Sequence, residues 1–375
     1  MVPKSGYLFS EKILRKESSA SVNESGHIVA DTAARIFADL ADPQTINHAK
    51  DGSWREPLWR ALTESGLTLA WVPEEHGGAG ASVADGFEIL QVAGRFALPV
   101  PLGETLLAGW LLARAGLEAP PGAMTVAPVR PKETIALTSD GTLSGRARGV
   151  PFARAAQHLA ALATRGGSPI VVLVAAKDCR TSEGRTLAGD ASDDVTFDGV
   201  RPIASAPAPA GLDQTTLMLM GATVRSVEMA GALEAVLSHT VRYANERVAF
   251  ERPIAKFQAV QHNLARLAGE VAAAVAAAGS AADAVAQAHA FDEAVFLEAA
   301  SARIRCAEAA QEGVAIAHQV HGAIGFTKEH ILHRFTLRLL SWRDDFGNES
   351  HWAVALGNLV AARGADDLWP LVASR

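Results

Sequence analysis

The residues best suited to chemistry lie in two C-terminal stretches of the chain. The first reads Arg247-Val-Ala-Phe-Glu-Arg-Pro-Ile-Ala-Lys-Phe-Gln258, and the second reads Gln319-Val-His-Gly-Ala-Ile-Gly-Phe-Thr-Lys-Glu-His330. An arginine side chain can donate two parallel hydrogen bonds to a phosphate group. Glycines let a backbone come close to a ligand. The two stretches therefore favour a phosphate-bearing ligand, although a lone arginine at a helix end is more often only solvated.

Four histidines in or beside the second stretch form two pairs at a spacing of three residues, His318 with His321 and His330 with His333. Paired histidines at this spacing could bind a metal ion. No cysteine and no fixed carboxylate pair accompanies them, so the sequence predicts no metal site. The two cysteines of the chain are far apart in sequence, which excludes a disulfide framework and a zinc ribbon.

Composition and charge restrict the class of protein. The 375 residues are 49% hydrophobic and 20% charged, which allows a large core in two or three domains. A net charge of −7 argues against a nucleic-acid partner, which usually requires a basic face. The polar N-terminus has no apolar run of signal-peptide length, and the stretch from Ile170 to Ala176 is too short to span a membrane. We therefore expect a soluble, cytoplasmic protein in which nothing approaches a membrane span.

Residues 22–119 are predicted to form an N-terminal helical domain. Apolar residues at helical spacing indicate helices from Glu56 to Ser65, from Ser82 to Arg95 and from Glu104 to Leu117. Residues 120–210 change in character and carry short β-type runs that end at turn residues. These runs predict a small β domain, a barrel or a sandwich, with the proline- and alanine-rich stretch from Ala204 to Ala210 as the linker that leaves it.

Residues 211–375 are predicted to be helical again. An alanine-rich pattern indicates long helices, at Asp213 to Ala249, Phe257 to His289 and Asp292 to His321. Thr327 is predicted to cap a further helix that reaches Asp345, and Asn348 to cap the last helix. The sequence thus predicts an α+β fold: an N-terminal helical domain, a small middle β domain and a C-terminal antiparallel four-helix bundle.

The two C-terminal stretches resemble the signature segments of the acyl-CoA dehydrogenase family, at the expected separation. A weaker resemblance covers the N-terminal domain, including Pro73-Glu-Glu-His-Gly-Gly-Ala-Gly80. The resemblance implies FAD as the cofactor and an acyl-CoA thioester as the substrate, which is desaturated between its α- and β-carbons. It also implies an electron-transfer flavoprotein as the electron acceptor. Either a homo-oligomer or a hetero-oligomer with a homologous subunit is expected.

The resemblance also implies residue roles in an FAD site. Arg247 would contact the FAD pyrophosphate, often that of an FAD bound mainly by a neighbouring subunit. Phe250 and Phe257 would supply apolar walls, and Gln258 would donate a hydrogen bond to the cofactor. The adenine end would be lined by five successive residues, of which the last replaces a glycine common in the family: Gln319, Val320, His321, Gly322 and Ala323.

The chain departs from the family pattern at the catalytic base, which is usually a glutamate that removes the α-proton. The usual position corresponds to Phe346, and the alternative position used by some members corresponds to Gly221. Neither residue is a carboxylate. Asp345 is the nearest candidate for the base, with Glu349 next, although Asp345 could equally be an ordinary charged residue at a helix end. The flavin-contacting loop is also abbreviated, to Thr125-Val-Ala-Pro-Val129.

These departures resemble the short subunits of bacterial members that assemble from two unlike chains. Three functions therefore stay open on the sequence. The chain is an FAD-dependent acyl-CoA dehydrogenase in its own right, a non-catalytic partner subunit of a heteromeric one, or a flavin oxidase or monooxygenase on the same fold.

Overall fold

The computed structural model describes residues 28–373. Residues 22–27 of the predicted N-terminal domain, and the N-terminal segment considered for a signal peptide, lie outside this range. Five helices come first in the described chain, where α4 begins after a capping box between Ser82 and Asp85. The bounds are α1 at 28–40, α2 Pro43–His48, α3 Arg55–Glu64, α4 Val83–Arg95 and α5 Leu102–Arg114. Helix α5 is buried from Leu102 to Leu112, because it lies against β1 and α6.

The middle region is one eight-stranded sheet. Its strands are β1 Met124–Ala127, β2 Ile135–Leu137, β3 Leu143–Pro151, β4 His158–Arg165, β5 Ser168–Ala175, β6 Arg180–Ser182, β7 Ser192–Val200 and β8 Ala204–Pro207. Along the sheet the order is β6-β7-β3-β2-β4-β5-β8, and β1 pairs with β4. Strands β1 and β2 run parallel to β4, and the other pairs are antiparallel. The prediction that residues from Ala204 form a linker is wrong, because β8 pairs with β5 as an edge strand.

The C-terminal region is helical, and three long helices pack against one another. Side chains of Asp213, Asp292 and Asn348 accept backbone N–H groups at the starts of α6, α8 and α10, as the sequence predicted for Asn348. The bounds are α6 Gln214–Glu246, α7 Gln258–Gln287, α8 Glu293–His321, α9 Leu332–Trp342, α10 Glu349–Arg363 and α11 Leu368–Ala373. The α+β class and the order helical, β, helical are confirmed, whereas the domain limits at 119 and 210 stay predictions.

Helix α9 is shorter than predicted at both ends. Thr327 does not cap it, because its hydroxyl donates to the carbonyl of Ile324 within a short 3-10 turn at Gly322–Phe326. At the other end the backbone leaves the helix after Trp342. Phe346 then adopts a left-handed conformation with a φ of 53°. The segment between α9 and α10 is therefore an irregular turn rather than a helix.

Helix α6 is fixed against the N-terminal helices by a close crossing with α4. A Cβ atom on Gly94 would lie 2.1 Å from the carbonyl oxygen of Glu228, and one on Gly231 would lie 2.0 Å from that of Gln91. Only glycine permits this approach. The crossing holds the middle of α6, which is buried from Thr216 to Leu233, between the N-terminal helices and the bundle.

Helix α7 has an open face. With 30 residues, α7 is long and apolar enough to cross a membrane, judged by length and composition alone. The expectation that no segment approaches a membrane span is therefore wrong for this helix. A single helix of this kind is weak evidence for a membrane. Helix α7 packs against α6 and α8, and only 28% of its most apolar 18-residue segment is buried. The outward face leaves small side chains available to another chain.

Candidate functional site

The two stretches singled out in the sequence meet at one end of the helical bundle. The Tyr243 hydroxyl, near the end of α6, donates to the carbonyl oxygen of His321 at 3.2 Å. The two rings stack with centroids 4.4 Å apart. Arg247 follows α6 directly, and Gly322 follows α8. Residues that are far apart in sequence therefore form one surface, which we call the bundle end.

A tight hairpin after α6 carries the first stretch. Strands β9 (Val248–Ala249) and β10 (Arg252–Pro253) pair, and Phe250 and Glu251 at the turn have φ angles of 53° and 65°. Two non-glycine residues in the left-handed region are strained, and such strain is common at binding sites. The Phe250 side chain is 88% exposed. The hairpin thus holds an aromatic ring out in solvent, next to Arg247.

The predicted cofactor residues differ in exposure. Six are exposed, namely Arg247, Phe250, Gln258, Gln319, Gly322 and Ala323. Phe257 is half-buried and meets the ring of Phe250 edge to face at a centroid distance of 6.1 Å. Val320 and His321 are buried. The exposed members can touch a ligand directly, whereas Val320 and His321 contribute by holding the turn in which they lie.

Histidines support the bundle end from inside. The rings of His321 and His330 lie 4.7 Å apart, and Nδ1 of His321 lies 2.7 Å from the carbonyl oxygen of Ala317. Burial lowers the pKa of His321 to about 4, and that of His239, also beneath this surface, to about 4. These imidazoles are therefore neutral at physiological pH. Among residues 28–373, no group of three or more metal-ligating side chains comes together.

The two positions at which a base was sought face each other in space. A Cβ atom on Gly221, in α6, would lie 2.2 Å from the ring of Phe346. Phe346 is 1% exposed, and its N–H donates to the carbonyl oxygen of Val129 at 3.1 Å. Its own carbonyl accepts from the indole of Trp352 at 3.0 Å. A phenyl ring therefore fills the space between α6, the turn after α9 and the segment after β1.

Asp345 lies in a buried cluster of charges. The Arg225 guanidinium donates to Asp345 Oδ2 at 2.9 Å and to Glu228 Oε2 at 2.5 Å, and it also bonds Glu104 of α5. Three carboxylates thus share one arginine, which is 2% exposed. Burial raises the pKa of Asp345 above its usual range, against the opposing effect of Arg225. The Asp345 carboxylate is engaged in an ion pair rather than free beside a cavity.

A second buried arginine holds the turn that carries Asp345. Arg303 of α8 donates from Nε to the carbonyl oxygen of Gly347 at 3.1 Å, and from Nη2 to those of Trp342 at 2.5 Å and Asp345 at 2.9 Å. Burial lowers the pKa of Arg303 to about 10. Sequence reasoning missed both arginines. The available signal was a pair of opposite charges, Arg225 and Glu228, three residues apart in the mostly apolar run from Met218 to Leu233.

Comparison with known proteins identifies the family of this chain. Models of the acyl-CoA dehydrogenase N-terminal and C-terminal domains match residues 23–120 and 211–344. The acyl-CoA dehydrogenase IpdE2 of Mycobacterium tuberculosis is 30% identical over 321 residues, which cover 84% of this chain and 91% of IpdE2. The chain belongs to the acyl-CoA dehydrogenase family.

Solved structures share this fold over nearly the whole chain. The Tcur3481-Tcur3483 steroid ACAD superposes with a TM-score of 0.79 at 28% identity, over 91% of this chain and 99% of that one. The ChsE4-ChsE5 complex from Mycobacterium tuberculosis superposes with a TM-score of 0.81 at 24% identity, over 91% of this chain and 98% of that one. The resemblance seen in the sequence is confirmed at the level of family and fold.

Part of this chain has features that suit an FAD molecule, the cofactor expected from the family. Within the described chain no carboxylate lies within 4.0 Å of Arg247, so its exposed guanidinium is available to a pyrophosphate. Gly322 has a φ of 64°, and apart from the adjoining backbone no atom of the described chain lies within 4 Å of the position its Cβ would take. The backbone at Gly322 is therefore accessible to a planar ring such as the adenine of FAD. The bundle end therefore suits the phosphate and adenine portions of the cofactor.

The charge cluster gives this member of the acyl-CoA dehydrogenase family a testable pH dependence. Burial raises the pKa of Glu228 from 4.5 to about 7, so the folded protein binds a proton more tightly than the unfolded chain. Stability from this group is full below about pH 4.5 and is lost as the pH rises through about 7. Glu228→Gln keeps an acceptor for Arg225 without the charge. We expect its melting temperature to exceed that of the wild type by about 2–4 °C at pH 8 and not at pH 5.

Thermal unfolding at pH 5, 6, 7 and 8 measures this effect. Glu234→Gln is the matched control, because Glu234 lies on the same helix in a partly exposed ion pair with Arg95. The control should show no comparable gain. A Glu228→Gln curve parallel to that of the wild type at all four pH values would contradict the proposed protonation.

Proposed function

We propose that this chain is the partner subunit without a base in a heteromeric acyl-CoA dehydrogenase. In this proposal a homologous subunit supplies the base and holds most of the FAD, and this chain lends its bundle end to that cofactor. The contact between Phe346 and Gly221 carries the proposal, since it occupies both positions where the family has its base. The assembled enzyme would be cytoplasmic and would desaturate an acyl-CoA.

The chemistry of α,β-desaturation requires a carboxylate within hydrogen-bonding reach of the α-proton. Asp345 was the candidate from the sequence, but its carboxylate bonds Arg225, and Arg303 fixes its backbone. To act as a base it would have to leave a buried arginine without one of its partners, which is costly. We therefore assign Asp345 a structural role in the turn.

The abbreviated segment from Thr125 to Val129, which the structure places at the end of β1 and directly after it, supports the same proposal for the flavin. Val126 and Ala127 of β1 and Val129 beyond it are buried, and the Val129 carbonyl accepts from the N–H of Phe346. Close packing of this kind leaves little space for a flavin ring beside these residues. The phosphate-facing residues of the bundle end have no such obstruction. In this proposal the bundle end contacts the FAD of a neighbouring subunit, and the packed residues around Val129 leave no space for a flavin ring held by this chain itself.

The relatives offer a precedent for a two-chain enzyme. Both the Tcur3481-Tcur3483 steroid ACAD and the ChsE4-ChsE5 complex are named as pairs of chains. FAD, when bound, supplies the hydride acceptor, and an electron-transfer flavoprotein would reoxidise it. From this chain, Arg247 would neutralise the pyrophosphate and Phe250 would cover an apolar part of the cofactor. Gln319 to Ala323 would line its adenine.

Purification of the chain alone tests the proposal. The purified protein should carry little flavin, and a panel of acyl-CoAs should not bleach any flavin added to it. Pairwise coexpression with the acyl-CoA dehydrogenase chains of the same genome should yield one yellow complex that is bleached by an acyl-CoA. Asp345→Asn in that complex should keep its kcat within about twofold, because the base comes from the other subunit.

Two results would refute the proposal. One is a yellow homo-oligomer of this chain that an acyl-CoA bleaches, with bleaching abolished in Asp345→Asn. That outcome would restore Asp345 as the base. The other is a yellow homo-oligomer that reacts with oxygen and an unrelated substrate, which would favour the oxidase or monooxygenase.

A further inference from the structure

A cleft lies between the N-terminal helices and the sheet. It consists of two adjoining cavities of about 320 and 410 Å³, which share Arg55, Val100, Pro101 and Ala155 in their walls. Volumes of this order suit a small organic molecule. Ala123, directly before β1, lines the cleft, whereas Val129, beyond the other end of β1, lies against Phe346. A strand of four residues spans about 10 Å, so the cleft is separate from the contact between Gly221 and Phe346.

The cleft has an excess of positive charge. Four arginines line it, Arg55 and Arg60 from α3 and Arg154 and Arg185 from the sheet region. Among the described residues, only Arg154 of these four has a carboxylate within 4.0 Å. The lining carboxylate Asp190 is already bonded to Arg338 at 2.8 Å. Glu56 is the other acidic residue of the wall, so three arginines without ion pairs face one free carboxylate.

The remaining wall is mostly apolar. Trp59 lines the larger cavity, Pro99 lines the smaller one, and Val100 and Pro101 line both. Phe152 lines the smaller cavity with a φ of 55°. Its conformation is fixed by hydrogen bonds from its N–H to the Ala191 carbonyl and from the Ala155 N–H to its own carbonyl, both 2.9 Å long. A strained non-glycine residue that lines a cleft is a mark of binding sites. Prolines and ring side chains lose little freedom when a ligand packs on them.

We propose that this cleft binds an organic anion in which a carboxylate or phosphate is attached to a rigid apolar body. The body would pack against Trp59 and Phe152, each in one of the two adjoining cavities, and the anionic group would bond to Arg55 and Arg185. Arginine suits both anions because its planar donors match their paired oxygens. Such a site would let the chain sense or hold a charged ring compound without taking part in desaturation.

Calorimetric titration of the full-length chain tests this site with cholate, the uncharged methyl ester of cholate and naphthyl phosphate. Cholate and naphthyl phosphate differ in the anionic group, so their ratio identifies which one the arginines prefer. At least one of the two anions should bind saturably, and more weakly as salt is raised. The methyl ester should bind about tenfold more weakly than cholate. Arg55→Gln should weaken binding of the preferred anion by about tenfold.

Two further variants separate the cleft from general surface charge. Ala155→Trp fills the space shared by both cavities without changing charge, at an exposed position that tolerates a larger side chain, and it should abolish binding. Arg201→Gln is the matched control, since Arg201 is an exposed arginine outside the cleft. This variant should bind the preferred anion with the affinity of the wild type. Absence of saturable binding for both anions would overturn the proposal. Equal loss in Arg201→Gln, or full binding in Ala155→Trp, would also overturn it.

Discussion

We expect the Arg225→Met variant to lose about 3–5 kcal/mol of its free energy of unfolding at pH 8. In residues 28–373, Arg225 is the only cation within 4.0 Å of the side-chain carboxylates of Glu104, Glu228 or Asp345. Methionine matches the length of the stem but leaves three buried carboxylates without a partner. The carboxylates would then have to bind protons or draw in water. Because protonation is easier in acid, the loss should be smaller at pH 5.

Urea denaturation at the two pH values measures this loss. Arg95→Met is the matched control, because Arg95 pairs with Glu234 of the same helix at 2.8 Å, with 46% and 31% of the two side chains exposed. Exposed pairs of this kind contribute about 0–1 kcal/mol. Similar small losses in both variants would show that the buried cluster is not what fixes α5, α6 and the turn after α9 together.

The second large effect concerns Arg247. In the coexpressed complex, Arg247→Ala should lower FAD affinity by at least about tenfold, because the pyrophosphate loses a two-pronged charged donor. Arg247→Lys should keep part of the affinity, since a point charge remains. Flavin content after gel filtration and FAD titration of the apo-complex measure both variants.

Arg266→Ala is a suitable control for this experiment. Arg266 is an exposed arginine of α7, in a surface ion pair with Glu312 at 2.6 Å. Its loss should leave flavin content unchanged. Full flavin occupancy in Arg247→Ala would mean that the role carried over from the family to this residue is wrong.

Local signals in the sequence predicted much of the fold. Asn348 marked the start of α10, because a cap depends on a few neighbouring residues. Apolar spacing placed α4 at Ser82 to Arg95, close to its observed bounds. The β8 strand was missed because its partner, β5, determines it more than its own composition does. Thr327 was taken for a cap because hydrogen bonding to Ile324 has no distinct local pattern.

In the candidate site too, local sequence patterns predicted some features, whereas others depend on tertiary packing. The stretches around Arg247 and Gly322 could be recognised as sequences, whereas their meeting through Tyr243 depends on how the helices pack. Arg225 bonds Glu104 across 121 residues and Asp345 across 120. No periodicity or motif carries contacts of that range. The charge cluster therefore became visible only with the fold.

The contact between Gly221 and Phe346 also restricts how this chain could evolve. Any side chain at 221 would collide with the phenyl ring, whose nearest atom lies 2.2 Å from the Cβ position. Removal of the ring alone would leave a cavity, which costs about 3–5 kcal/mol for a buried phenylalanine. Each change is harmful until the other has occurred. A glutamate at either position therefore requires a compensating change at the other, so a single substitution would not place a carboxylate there without a loss of stability.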